Sequence, residues 1–304
     1  MSIGISKLFE DAETLADQRR LLPAIALLEE ARRLTKIPDR RAFASYNLGT
    51  INWHYIGNGI AARREFIASI HDFESYGYGQ HPQLQVVHAN ALENAMLCAL
   101  SYDEFEDFAA RLRTLAPGEP IITTLVPEVS TWRERGDPWS DRLFALAGTY
   151  YNRNDPQRDV GRYGCARSTY HLILTERRKL RVQRTDWHMA VFEFCALSMR
   201  MASDYMIVRG GDNDPNPPEE FLPILTEAIP LVDEYLQVNS GDELLLKTRE
   251  NLEEMVTLCQ QRWAHYHGRS AMIPAHTGHG CLLPMSISLG VLIMLDFLVK
   301  NVRH

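Results

Sequence analysis

The sequence predicts an all-α fold, and three observations carry that expectation. Apolar residues recur with helical spacing over nearly the whole chain. Sustained apolar–polar alternation is missing, and so is any rhythm of strand, helix and strand. Glycine and proline clusters break the helical pattern at short intervals, as between helices joined by tight turns.

The elements follow in order. Helices over 4–18 and 21–36 end at Ile37-Pro38-Asp39, and a helix over 39–56 ends at Gly57-Asn58-Gly59. The next, 59–75, stops at Gly77-Tyr78-Gly79; 83–100 and 103–115 stop at Pro117-Gly118. IITTLV (121–126) follows Pro-Gly-Glu-Pro and is expected to be extended, inside an irregular insert over 116–137. Helices over 138–152, 158–181 and 185–208 come next, before the Gly210–Pro215 break. Helices over 218–237, 241–266 and 284–301 complete the chain. The breaks rest on backbone chemistry: proline lacks the N–H a helix needs, and glycine reaches conformations other residues avoid.

Composition narrows the class. A net charge of −7 argues against broad nucleic-acid binding. The five cysteines are odd in number and scattered, which suits reduced thiols in a cytoplasmic protein better than a disulfide framework. Acidic residues stand in the N-terminal stretch where a signal peptide would have its apolar run.

Short turns between paired helices raise the question of repetition. Ala24, Leu28 and Ala31 follow one another at spacings of four and three. The same rhythm returns as Ala62, Phe66 and Ser69, preceded by SYNLGTINWHYIGNG with Tyr46, Asn47, Leu48, Gly49 and Gly57. This stretch resembles the tetratricopeptide repeat over residues 8–75, with one residue inserted in the turn of the second unit. The resemblance implies an α-α superhelix of stacked helical hairpins. Gly49 and Ala62 would let two helices approach, while Leu48 and Phe66 would fill the gap between adjacent hairpins. A third unit over 83–115 aligns Asn90 with Asn47 and Phe108 with Phe66, with Glu104 in place of the small alanine. A fourth candidate pairs Ala147, Gly148 and Tyr151 with Ala166, Tyr170 and Ile173. The expected organisation is repeat-like hairpins over 1–115, degenerate helical repeats over 116–267, and a loop with an apolar C-terminal helix over 268–304.

Candidate functional residues follow. The resemblance implies a concave groove lined by the first helix of each hairpin, with Asn47 touching the main chain of a bound peptide. Asn90 would be its analogue and Asn94 lies one turn on. An amide donates and accepts at once, which suits an extended backbone. Arg177, Arg181 and Arg184 share a face if their helix continues that far, and guanidinium forks pair with acidic partners. The sequence has no P-loop, no Gly-x-Gly-x-x-Gly, no His-Glu-x-x-His and no Gly-x-Ser-x-Gly. His71-Asp72 reads as a surface pair. Asp212, Asp214 and Asn216 alternate as in a calcium loop, but Pro217 stands where glycine is needed.

His276, His279 and Cys281 offer imidazole and thiolate chemistry suited to zinc, yet their spacing fits no familiar zinc module. The expectation is a connector, with no metal and no cofactor. Of residues 281–299, fourteen are apolar and cover all sides of a helix. Such a segment needs cover from its own chain, a second copy, a partner or lipid. The leading expectation is a non-catalytic adaptor that binds a peptide or protein segment. The alternatives are a scaffold tethered to a membrane through 281–299 and an all-α enzyme dependent on a metal or small molecule.

Overall fold

A computed structural model describes residues 4–18, 20–79, 83–152, 160–206 and 218–266. Every regular element among them is helical, and no strand forms among the described residues.

The first six helices pair in sequence. Helix α1 (Ile5–Asp17) packs on α2 (Leu21–Leu34), α3 (Pro38–Ile51) on α4 (Gly59–Tyr76), and α5 (Leu84–Leu97) on α6 (Tyr102–Leu115). Neighbouring pairs meet through α2 against α3 and α4 against α5. The small and bulky residues singled out by spacing face inward: Ala24, Leu28 and Ala31 on α2, and Ala62, Phe66 and Ser69 on α4, are all buried. A Cβ on Gly49 would lie 2.6 Å from two carbons of the Phe66 ring. Phe66 therefore packs within its own hairpin, over Gly49 and 6.1 Å from the Tyr46 ring. Gly49→Ala should cost about 1–3 kcal/mol, because the added methyl must displace a packed aromatic ring. Urea unfolding would measure this as a lower midpoint at unchanged slope.

Local chemistry explains the departures from a regular repeat. The residue inserted in the second unit is absorbed by a π-helical turn, Asn52–Ile56, that continues α3. A π-turn takes one more residue than an α-turn. The Gly57 N–H bonds back to Asn52 O at 2.9 Å, and Gly57 closes the turn at φ 78°. Glu104 replaces the expected alanine because it caps a helix. Ser101 Oγ accepts from Glu104 N–H at 3.2 Å, and the Glu104 carboxylate accepts from Leu100 N–H at 2.7 Å. The same carboxylate pairs with Arg63 on α4.

The insert over 116–137 is a helix, not an extended segment. Helix α7 (Pro120–Arg135) starts with Pro120 in its first turn, where the missing N–H costs nothing, and ends at Gly136 in the left-handed region. The β-branched IITTLV run suggested an extended chain, but the capped helix outweighs that weak preference.

Helix α8 (Trp139–Asn152) pairs with α9 (Val160–Thr175), and α9 pairs with α10 (Arg184–Met206). Gly148 on α8 meets no neighbour within 4 Å, so the close approach seen at Gly49 is not repeated there. The expected helix 158–181 ends at Thr175 in turns, with Arg181 at φ 54°. The expected helix 218–237 is two helices, α11 (Pro218–Thr226) and α12 (Ala228–Val238), broken at Glu227. Pro230 explains the break: it cannot donate to Thr226 O, and its ring crowds that carbonyl. Helix α13 (Glu243–Tyr266) follows. Met1–Gln260 cluster as one unit. The early hairpins join the later helices through α9, which packs on the π-turn and on α4. The expected C-terminal helix over 284–301 lies outside the described residues.

Candidate functional site

Helix α9 joins the second hairpin to α8 and α10 within the Met1–Gln260 unit. Every side chain from Tyr163 to Leu174 is buried, although the segment carries Arg167, Ser168, Thr169 and His171. Three glycines let it sit directly on the second hairpin. A Cβ on Gly164 would lie 1.9 Å from His54 O, one on Gly59 2.1 Å from Ser168 O, and one on Gly57 2.8 Å from Arg167 Cδ. Ser168 Oγ donates to Trp53 O at 3.0 Å across the same crossing.

Arg167 is 0% exposed, yet all three of its nitrogens are bonded. Nε donates to Ser198 Oγ at 2.8 Å, and Nη1 donates to Ile56 O at 2.9 Å and Gly57 O at 3.1 Å. Nη2 donates to Ile224 O at 2.8 Å and Glu227 Oε2 at 2.9 Å. The guanidinium carbon lies 4.2 Å from the Phe194 ring centroid. One side chain on α9 thus ties together the turn after the π-helix, α10, α11 and the break before α12. Sharing charge-assisted bonds among several acceptors is what makes such burial tolerable.

Glu227 completes the network. Its Oε1 accepts from Asn58 Nδ2 at 3.0 Å and lies 3.3 Å from His171 Nε2. Burial alone would raise the Glu227 carboxyl. The His171 hydrogen bond and the Arg167 charge outweigh burial and bring it down to about 2. Burial draws the Arg167 guanidinium below its usual value, but from so high a start that it stays charged. Glu227 also faces an open depression of about 320 Å³, lined with Ile56, Asn58, Pro223 and Thr226. A carboxylate ionised this firmly and bonded to three donors is a poor proton shuttle. Its chemistry suits clamping.

A second polar contact lies on the same crossing. Cys165 Sγ stands 3.1 Å from His54 Nδ1, and the thiol is 4% exposed.

The residues expected from sequence fall elsewhere. Asn47 on α3 and Asn90 on α5 are half-buried, and these two helices touch. Asn94 donates through Nδ2 to Asn90 O at 2.9 Å, one turn back on its own helix. The arginine face does not form, because α9 has already ended. Arg177 pairs with Glu234 and lies 4.8 Å from the Trp187 ring centroid, Arg184 bonds Asn239, and Arg181 is exposed. His71 is exposed, while Asp72 takes both ends of the Arg41 fork at 2.7 Å. His276, His279 and Cys281 lie outside the described residues, as do Asp212, Asp214 and Asn216.

Among the described residues no group of three or more His, Cys, Asp or Glu could hold a metal ion. No helix among them is long and apolar enough to cross a membrane. Sequence reasoning missed Arg167, Glu227, His171, Asn58 and Ser198, which come from four separate stretches. The one local signal was a set of polar residues inside GRYGCARSTYHLIL that left no polar stripe.

Compared with known proteins, the chain matches no family model, no curated protein and no solved structure. Fold and site define its class directly. It is an all-α protein whose paired helices are clamped by a buried arginine–carboxylate network.

Proposed function

We propose that the chain is a non-catalytic interaction module that binds a peptide or protein segment along α3 and α5, in the manner of a tetratricopeptide-like stack. The observation that carries this reading is Asn47. Its amide is half-buried on α3 and makes no hydrogen bond with the described residues. A sheltered amide of this kind gains from a partner that supplies both a donor and an acceptor, as a peptide unit does. Asn90 is half-buried on the adjoining helix, and Asn94 keeps its carbonyl oxygen for a ligand after donating to Asn90 O. Val86 on α5 is 62% exposed and offers an apolar contact one turn before Asn90. Hairpin packing uses other residues of α3, namely Leu48 and Gly49.

Arg177 and Arg184 are committed within the fold, so attraction for an acidic partner would come from the exposed Arg178, Lys179 and Arg181. Selection from a displayed peptide library on the purified chain tests the reading. Asn47→Ala should weaken the selected peptides about tenfold, the share of one or two hydrogen bonds worth about 1 kcal/mol each. Equal affinity for every selected peptide in the Asn47→Ala, Asn90→Ala double variant would overturn it.

A further inference from the structure

Among the described residues two arginines are buried, Arg142 and Arg167, and they are treated in opposite ways. Arg167 has an acceptor for each nitrogen. Arg142, in the first turn of α8, is 4% exposed, and its Nε, Nη1 and Nη2 are all buried with no acceptor among the described residues. Its neighbours are aromatic. The guanidinium carbon lies 5.6 Å from the Trp139 ring centroid and 6.0 Å from that of Phe105. Trp139 is fixed in turn, donating from Nε1 to Ala99 O at 2.8 Å with the Tyr102 ring 4.8 Å away. Ring faces soften a buried positive charge but supply no lone pairs for five N–H donors. Glu104, which like Arg142 acts on the buried Cys98 thiol, is already bonded to Arg63 and to Leu100 N–H. The other groups acting on Arg142 are Tyr150, Glu128, Tyr102 and Cys98, and none hydrogen-bonds it.

We propose that Arg142 anchors an internal binding site for a small free carboxylate, held in the guanidinium fork beside Trp139 and Phe105. A planar fork whose three nitrogens lack an acceptor matches the two oxygens of a carboxylate. Charge selects the anion. One guanidinium neutralises one negative charge, and the nearby Arg63 is already paired with Glu104. A phosphate dianion would leave a charge buried without a partner. Burial selects the source, since a side chain of another protein has no route to so enclosed a group.

The test is thermal unfolding of the full chain in carboxylate-free buffer, with acetate titrated at constant ionic strength and chloride as the balancing salt. Acetate should raise Tm progressively, by roughly 2–4 °C once its concentration stands well above the dissociation constant. Arg142→Met, which replaces the fork with apolar atoms, should abolish the rise. Arg142→Lys, which keeps the charge and loses the fork, should need about tenfold more acetate for the same rise in Tm. Line broadening of 13C-labelled acetate by the unsubstituted chain gives a readout independent of variant folding. Its absence would overturn the proposal. So would a wild-type Tm indifferent to acetate together with an Arg142→Met form that melts higher. An equal response to inorganic phosphate would overturn the choice of carboxylate.

Discussion

Arg167→Met is expected to lower the stability of the fold by about 3–5 kcal/mol, the usual consequence of breaking a buried charged pair from one side. The carbonyls of Ile56, Gly57 and Ile224 lose their donor, and Glu227 is left ionised without its strongest counter-charge. Such a loss is a large part of the roughly 5–15 kcal/mol that holds a typical domain together. A large fall in the urea midpoint is the measurement. A midpoint within error of the unsubstituted chain would show that the network is not the clamp described.

The same network predicts an acid limb. Glu227 titrates near 2 when folded, against an ordinary value of 4.5. Its contribution is complete above about pH 4.5 and is lost as pH falls towards 2, because the unfolded chain takes up the proton first. Glu227→Gln should flatten the stability profile across that window.

The second large effect is expected at the α9 crossing. Gly164→Ala would place a methyl 1.9 Å from His54 O, and Gly59→Ala would place one 2.1 Å from Ser168 O. Both contacts are with backbone, so no rotamer change relieves them and the helix must lift from the hairpin. Each substitution should cost about 3 kcal/mol, at the upper end of overpacking losses. Gly148→Ala is the control. Gly148 lies inside α8 with nothing within 4 Å, and alanine there should stabilise by about 0.5–1 kcal/mol through helix preference. Thermal melts of the three variants would order them. Equal loss at all three positions would mean that glycine flexibility, not close approach, is what α9 needs.

The repeat rhythm shows how far local pattern reaches. Ala24, Leu28, Ala31, Gly49, Ala62 and Phe66 were legible because helix pairing between chain neighbours depends on residues a few positions apart, and all six are buried. Turn residues were legible for the same reason: Gly57 and Gly136 do adopt the left-handed backbone that glycine favours. The inserted residue was visible as a miscount, but its accommodation as a π-turn under α9 was not. Helix α7 was misread because β-branched residues signal strands only weakly, and Pro120 can begin a helix as readily as it ends one.

The candidate site was nearly invisible beforehand. Asn58 and Arg167 are 109 positions apart, and Glu227 is 60 beyond Arg167. Nothing at any one of these positions announces the others. The asparagines of α3 and α5 were found because they lie within the hairpin pattern, although their proposed ligand rests on the resemblance and on their half-buried amides. The arginine trio failed because its shared face required helix where the chain turns at Arg177–Arg181.

By itself, the sequence determined the helical class, most helix ends and the inward faces of the first hairpins, since each depends on backbone preferences and side-chain spacing within one or two turns. Only the tertiary structure decided that α9 crosses the second hairpin on three glycines, that Arg167 is fully bonded and that Arg142 is not. Those outcomes depend on acceptors delivered by distant segments, and a buried charge has no meaning until the packing around it exists.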